Sequence, residues 1–449
     1  MYRLTGLGWE LTFKTEYAPE YIGSMAASHF HDPRFPNIIA VTLKALAVLA
    51  WVGTCLSPLD LLAAPRLPTD RAEVLERLPL RPGDATAREL AALRADVTRA
   101  AKEVPPDPLP ATRLAGRYYD LAIARGDPRY IGYADAVMAP FARSQEPAVL
   151  TVRGQLRQYR HDFDGALADF AGALAADPQF ALAHAWRGAI YLVQADYAAA
   201  RVECDALLAL GRPTLHGGCI GLVRAYGGKM EAGAAALQRA LDETQDAGNR
   251  LWLLTRLGEV AAWRGRPEEA ERHFRAALAL GIDDGYLLAA WSDFLLDQRR
   301  PAEVVKWLAR WEASDGLLLR LALAETALAL PAAKAHVQAL ADRFAAAKVR
   351  GDTTHRAEEA RYELHLAGNA AAALAVAAAN YGVQREPRDA RVLLEAAIAA
   401  KDAAAAQPVR DWLQASGFED VPMRQLGAAS ARVPAGVLAP QSGKPEAKP

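Results

Sequence analysis

The spacing of hydrophobic, small and polar residues changes along this chain and divides it into parts. From about Thr112 to Gly417, apolar and small residues return every three or four positions, which predicts amphipathic α-helices, and glycine or proline separates the helices. One earlier helix is predicted over Thr86–Glu103. The pattern divides the chain into five parts. Residues 1–64 are predicted to form a leader, and residues 65–110 a proline-rich lead-in with one helix. Residues 111–315 are predicted to form a regular helical array, residues 316–417 less regular helical hairpins, and residues 418–449 a disordered tail.

The leader is predicted from 15 uncharged residues, Ala45 to Leu59. As a helix they would rise about 22 Å, which is short of the roughly 30 Å hydrocarbon core of a bilayer. A signal peptide cut after Ala63 is therefore the favoured interpretation, and an uncleaved anchor built from residues 38–59 is the alternative. Cys55 lies in a sequence that faintly resembles a lipoprotein cleavage box, so lipidation is a third option.

Residues 1–24 are polar and aromatic, unlike the Ala- and Leu-rich remainder. Our hypothesis is that Met25 is the true initiator, so that residues 25–64 form the signal peptide or anchor. Either interpretation places the protein outside the cytoplasm, in the periplasm or tethered to the membrane on its periplasmic side. A membrane contact would then be made only by a retained leader.

Landmark residues recur within the array. Counted from Pro147, positions 4, 8, 20, 24, 27 and 32 are occupied by Leu150, Gly154, Ala166, Phe170, Ala173 and Pro178. Small residues are required where two paired helices cross most closely, a large ring fills the space beside that crossing, and proline ends the second helix.

The same residue types return one period of about 34 residues later, and again after three such periods with a short insertion. These landmarks are Gly154, Ala166 and Phe170, then Gly188, Tyr191 and Ala200, then Gly258, Ala270 and Phe274. The pattern resembles that of tetratricopeptide repeat (TPR) proteins, specifically over Pro147–Trp311 and by helix rhythm over Thr112–Gly417. The resemblance implies an all-α fold, a right-handed superhelical solenoid of roughly six to nine helix-turn-helix repeats.

Composition and motifs argue against several function classes. Apolar residues make up 52% of the chain and charged residues 23%, with a net charge of −1, so no basic surface for nucleic acid is predicted. The nine histidines are scattered, and no phosphate-binding glycine loop is present. We therefore predict no catalytic residue, no metal site and no cofactor, and interpret the chain as a binding scaffold and not an enzyme.

Cys204 and Cys219 would remain after removal of the leader. Cys204 takes the position of Phe170 in its repeat, and Cys219 lies early in the following helix. In an oxidising compartment they could form a disulfide, and two buried thiols that never meet are an equally good interpretation.

The TPR resemblance implies that the first helix of each hairpin lines a concave groove with positions 2, 5, 9, 12 and 13. These positions give Gln155, Gln158, Tyr159, Trp252, Thr255, Glu259, Trp263, Tyr286, Asp293 and Asp297. Trp252 and Tyr286 lie one repeat period apart and are expected to be neighbours on one wall. Aromatic and acidic side chains there suit a protein or peptide partner with apolar anchors and positive charge.

Three alternatives remain open. The aromatic residues of this face could be ordinary core residues. A small-molecule or glycan-binding module could form where the hairpins after Leu318 fold against the array, in a closed apolar pocket with convergent polar groups. An enzyme built from the repeat loops is the third alternative, although the sequence offers no constellation for it.

Overall fold

The computed structural model describes residues 84–432, and within them the chain forms twenty α-helices and no strand. From Arg88 onward these residues belong to one compact unit. In chain order the helices are α1 Ala85–Ala100, α2 Leu109–Arg125, α3 Arg129–Met138, α4 Pro147–Tyr159, α5 Phe163–Ala176, α6 Ala181–Val193, α7 Tyr197–Ala209, α8 Pro213–Tyr226, α9 Met230–Asp242, α10 Ala247–Trp263, α11 Pro267–Leu278, α12 Gly285–Asp297, α13 Pro301–Leu308, α14 Asp315–Ala327, α15 Ala333–Val349, α16 Arg356–His365, α17 Ala370–Tyr381, α18 Pro387–Ala399, α19 Gln407–Ser416 and α20 Val421–Ser430. The prediction of an all-α helical repeat solenoid is confirmed.

A left-handed backbone residue separates the two helices of each pair from α2–α3 to α18–α19. These residues are Gly126, His161, Ala195, Gly228, Gly265, Arg299, Ala329, Gly368 and Lys401. Up to Arg299 their spacing stays close to the TPR period of about 34 residues, so one turn geometry recurs at the spacing that the sequence predicts. Below, α2, α4 and every following even-numbered helix up to α18 is called a first helix.

Local sequence explains where the helices begin. Asp162 and Asp196 precede α5 and α7, and each side chain accepts a hydrogen bond from the backbone N–H three residues later, which satisfies an otherwise free donor. Pro267 and Pro301 start α11 and α13, where the missing N–H of proline is not needed.

The landmark glycines lie where paired helices meet. A Cβ atom on Gly154 would lie 2.6 Å from the Phe170 ring, and one on Gly258 would lie 2.8 Å from the Phe274 ring. Ala166, Ala200 and Ala270 are fully buried. The same Gly–Phe contact in two distant copies confirms the TPR-like repeat.

The intermediate copy has its own landmark glycine, which the sequence comparison missed. A Cβ atom on Gly221 would lie 2.7 Å from Leu237 Cγ, so Gly221 has the role of Gly154 with leucine in place of phenylalanine. It lies slightly less than one period after Gly188 and slightly more than one period before Gly258. Because of these two changes in spacing, Gly221 does not lie at the position that a constant repeat period predicts for the landmark glycine.

The helices after Leu318 fold back onto earlier parts of the array. The backbone N–H of Arg385 donates to Val193 O at 2.7 Å, and the N–H of Met230 donates to Glu419 Oε2 at 2.9 Å. Both contacts join segments that are far apart in sequence, so the later part of the chain packs against the end of α6 and the start of α9.

The predicted tail boundary at residue 418 is wrong. Phe418 is fully buried, and Asp420 accepts a hydrogen bond from the N–H of Met423 at 2.7 Å to start α20. Ordered chain therefore continues to Arg432, because an aromatic anchor and a capping residue outweigh the small, polar composition of this stretch.

The predicted helix over Thr86–Glu103 is present as α1. The leader, its cleavage site, Met25, Cys55 and the chain after Arg432 lie outside the described residues. Between residues 84 and 432, no helix combines the length and apolar character needed to cross a membrane.

Candidate functional site

The predicted inner-face residues of α4 are packed inside the array. Gln155, Gln158 and Tyr159 are all buried. The ring of Tyr159 meets that of Tyr119 on α2 edge-on, with centroids 6.4 Å apart. Burial raises the pKa of Tyr159 to about 12, which keeps its hydroxyl neutral. This part of the predicted face therefore joins two neighbouring first helices.

Trp252 and Thr255 on α10 are buried as well. The ring of Trp252 covers Gly218 on α8 so closely that a Cβ atom has no room there, and the residue is 9% exposed. The Thr255 hydroxyl donates to Leu251 O at 2.7 Å within its own helix. Both side chains make the packing contacts of core residues, and a role of either in partner binding remains a prediction.

Tyr286 and Glu259 form a bonded cluster around Arg256. The Tyr286 hydroxyl donates to Glu259 Oε1 at 2.6 Å, and Arg256 Nη1 donates to Glu259 Oε2 at 2.8 Å. The Arg256 guanidinium lies 4.3 Å from the centroid of the Tyr286 ring, a cation–π contact. Tyr286 therefore packs on a buried arginine, whereas its expected neighbour Trp252 packs over Gly218.

Asp293 on α12 lies between two arginines. Arg320 Nη2 donates to its Oδ2 at 2.6 Å, and Arg361 Nη1 donates to its Oδ1 at 3.0 Å. Burial alone would raise the pKa of this carboxyl, but the two guanidinium groups hold it at about 2. Asp293 is therefore ionised at neutral pH and links α12 to α14 and α16.

Asp297, one turn further along α12, holds an arginine of α18. Arg391 Nη1 and Nη2 donate to the two oxygens of Asp297 at 2.8 Å each, a bidentate pair. Arg391 Nε also donates to Glu395 Oε1 at 2.8 Å. Burial raises the pKa of Glu395, but His365 and Arg391 more than compensate and lower it to about 2.

Trp263 closes the predicted set at the end of α10. Its ring lies 5.7 Å from that of Tyr226 on α8 and 5.5 Å from that of Phe418, just before α20. Trp263 thus contacts the C-terminal part of the chain, as Asp293 and Asp297 do.

Three arginines on the C-terminal helices were missed by sequence reasoning. Arg361 and Arg391 bind the carboxylates of α12, and the guanidinium of Arg388 lies 5.7 Å from the Tyr286 ring. These arginines do not occupy landmark positions of the repeat, so the repeat pattern gave no reason to select them. Only the acidic and aromatic character of the predicted inner face indicated that positive charge would be found opposite it.

Asp389 on α18 is a second feature that the sequence did not indicate. It is buried, it accepts a hydrogen bond from Asn380 Nδ2 at 2.9 Å, and it accepts one from the N–H of Glu386 at 3.2 Å. Burial raises its pKa to about 7. Among residues 84–432, no three His, Cys, Asp or Glu side chains come together in a way that could bind a metal ion.

A disulfide joins Cys204 on α7 to Cys219 on α8, with Cα atoms 5.5 Å apart. The bond lies in the core beside Gly188, whose Cβ position would be 3.4 Å from Cys219 Sγ. It crosslinks adjacent hairpins at the site that a phenylalanine fills in the first clear copy.

Two cavities differ in character. One, lined by Ala185, Leu207 and Trp252 among other apolar residues, has a volume of about 20 Å³. The other, of about 460 Å³, is open and largely polar, and it lies between two turns of the array and the turn after α17. Neither is the closed apolar pocket with convergent polar groups that a small-molecule module would favour.

Comparisons with known proteins give fold likeness only. No protein-family model matches the chain, and no curated protein matches it. Among solved structures, the APC/C hetero-tetramer Cut9–Hcn1 is similar with a TM-score of 0.37 and 15% identity, over 69% of this chain and 52% of that chain. The TPR domain of P58(IPK) matches with a TM-score of 0.20 and 15% identity over 70% and 94% of the two chains.

Naa15/Naa10 bound to HypK-THB is also similar, with a TM-score of 0.26 and 16% identity over 77% of this chain and 55% of that chain. This chain thus spans about half the length of the Cut9–Hcn1 and Naa15/Naa10 chains it matches. At such values the likenesses carry no functional inference, and the repeat assignment rests on the chain's own glycine contacts and turn spacing.

Proposed function

We propose that this protein is a non-enzymatic TPR-like scaffold of the cell envelope that binds a protein or peptide partner through its first helices. One observation carries the proposal: Asp293 and Asp297 on α12 each hold an arginine from a later helix of the same chain. The array therefore already holds two of its own later helices, α16 and α18, through charge-assisted hydrogen bonds, and a partner helix would be held by the same chemistry.

The partner expected from this chemistry carries arginine or lysine beside an apolar anchor. Its cations would bind the carboxylates of α12 in place of Arg361 and Arg391, which hold them in the free protein, and aromatic residues at the ends of first helices would receive the anchor. The envelope location rests on the leader predicted before residue 65, and a membrane contact would come only from that leader. The net charge of −1 gives no support for a nucleic-acid partner.

The test is affinity capture from an envelope fraction with the full-length protein and two matched variants. Asp293→Asn with Asp297→Asn removes both inner carboxylates, and we expect capture of the partner to fall about tenfold, as for lost charge pairs. Asp283→Asn is the control, because its carboxylate pairs with Arg310 and both side chains are largely exposed. Equal capture by the folded double variant and the control would refute the proposed surface.

The second candidate is a small-molecule or glycan-binding module. Its one support is the position of the polar cavity, which is open and not closed and apolar as expected, and which His161, Asp162 and Gln194 of the array line together with Arg385 of the later hairpins. Envelope-derived oligosaccharides should then raise the melting temperature of the wild type and leave that of Arg385→Ala unchanged. An equal shift in both proteins, or none in the wild type, would exclude this candidate.

A further inference from the structure

Three aromatic residues form a patch where α7 begins and where α8 and α10 end. Tyr197 and Tyr226 meet edge-on with ring centroids 6.3 Å apart, and Tyr226 and Trp263 meet with centroids 5.7 Å apart. Tyr197, Tyr226 and Trp263 are called the aromatic site below. These rings come together because each of the three residues lies at the end of its helix, next to a turn between paired helices.

One segment of the same chain occupies the aromatic site. Phe418 is fully buried there, with its ring 5.5 Å from Trp263 and 6.5 Å from Tyr226. Trp412 lies 5.1 Å from Phe418, and its indole N–H donates to the Tyr197 hydroxyl at 2.8 Å. Residues 412–420, called the docking segment, are thus held by aromatic packing and one directed hydrogen bond.

The residue after Phe418 makes a polar contact of a different kind. Glu419 Oε2 accepts a hydrogen bond from the N–H of Met230 at 2.9 Å, at the first residue of α9. The free N–H groups and the dipole of a helix N-terminus favour a carboxylate at that position. The array therefore receives an aromatic ring and, directly after it, a negative charge.

The backbone of the array is shaped for this contact. Gly228, in the turn before α9, has φ +74°, and a Cβ atom on it would lie 2.6 Å from both Ser416 O and Gly417 O. Any side chain at this position would push the docking segment away. The missing side chain at Gly228 thus leaves room for a second chain segment to lie against the backbone of the turn.

The side chains that anchor the docking segment lie close together in the sequence, between Trp412 and Glu419. The segment reaches residues much earlier in the chain through the Phe418 ring, the Trp412 indole N–H and the Glu419 carboxylate, besides the backbone contact with Gly228. The helix that follows, α20, buries only Met423, Gly427 and Ser430. Another protein could supply the same three groups on a short segment.

We propose that the aromatic site is a recognition site for a partner segment in which an aromatic residue is followed directly by glutamate. The protein's own docking segment occupies the site in cis, and a partner must displace it. The inference rests on the proposed function in that the occupant is a segment of a partner protein. Because the docking segment is part of the same chain, it competes for the aromatic site at an effective concentration in the millimolar range. A partner segment therefore binds more weakly while the docking segment occupies the site.

The test uses a fluorescein-labelled synthetic peptide with the sequence of residues 407–430 and the full-length protein. Phe418→Ala with Glu419→Ala frees the site, and we expect this variant to bind the peptide at least about tenfold more tightly than the wild type, because the tethered competitor is lost. Adding Trp263→Ala should abolish the gain. A peptide with alanine in place of Phe418 and glutamine in place of Glu419 is the matched control, and it should not bind.

A milder variant keeps the test decisive if the double variant does not fold. Glu419→Gln leaves Phe418 packed and weakens only the contact with α9, so peptide affinity should rise about threefold over the wild type. The proposal is overturned if neither variant binds the peptide more tightly than the wild type. Unchanged peptide binding after Trp263→Ala in a folded protein would also overturn it.

Two further outcomes separate this inference from the proposed function. Peptide binding without any captured envelope protein would leave the aromatic site established and refute the scaffold role. A wild-type protein that dimerises as its concentration rises, and that the peptide returns to monomer, would assign the site to a second copy and overturn the partner proposal.

Discussion

Replacing Asp293 by asparagine should lower the stability of the protein by an amount that depends on pH. The carboxyl has a pKa of about 2 in the folded chain, because Arg320 and Arg361 hold it in the ionised form against the effect of burial. An aspartate in an unfolded chain has a pKa of about 3.9. The difference of about two units contributes roughly 2.5 kcal/mol to the free energy of unfolding at pH 7. The side chain is 32% exposed, so this value is an upper estimate.

The sign of the pH dependence follows from the lowered pKa. Stabilisation by Asp293 is complete above about pH 5 and is lost as the pH falls through the folded-state value of about 2. At pH 3 about half of it remains. The difference between wild type and Asp293→Asn should therefore be about twice as large at pH 7 as at pH 3.

The assay is urea unfolding followed by far-ultraviolet circular dichroism at pH 7, 5 and 3. Asp283→Asn is the control, since its side chain is 63% exposed and the change should cost less than about 0.5 kcal/mol at every pH. A difference between Asp293→Asn and wild type that is independent of pH, or no larger than that of the control, would refute the ion-pair reasoning.

Two further predictions concern the core. Reducing the Cys204–Cys219 disulfide, which spans 15 residues, should lower the free energy of unfolding by about 3 kcal/mol in the chain-entropy model, and an unchanged melting temperature with reductant would contradict this. Phe274→Ala should lower the free energy of unfolding, measured by chemical denaturation, by about 3–5 kcal/mol, because the ring fills the crossing beside Gly258. Trp307→Ala, on the exposed side of α13, should lower it far less. Equal losses for both variants would show that the crossing is not a core contact.

The repeat could be predicted from sequence because its landmarks are set by local sterics. A glycine is needed wherever a phenylalanine ring fills the crossing, so Gly154 with Phe170 and Gly258 with Phe274 mark the hairpins directly. The intermediate copy was harder to recognise, since Gly221 meets Leu237 in place of a phenylalanine and its spacing departs from the regular period.

The covering of the inner face could not be predicted in this way. It depends on contacts between residues far apart in sequence, such as Asp297 with Arg391 and Trp263 with Phe418. No periodicity links such positions, and a single arginine on a helix is usually a solvated surface residue. The acidic and aromatic character of the face led us to expect positive charge opposite it, but it carried no information that arginines of the same chain would supply that charge.

Photo-crosslinking from position 418 tests most directly whether the first helices hold the chain's own C-terminal segment. A benzophenone-bearing phenylalanine analogue would replace Phe418 in the full-length protein, and the monomer would be irradiated at low concentration. We predict crosslinks to peptides that contain Trp263 or Tyr226, whose rings lie 5.5 and 6.5 Å from that of Phe418. Crosslinks confined to the flanking helices α19 and α20, or none within the monomer, would contradict it.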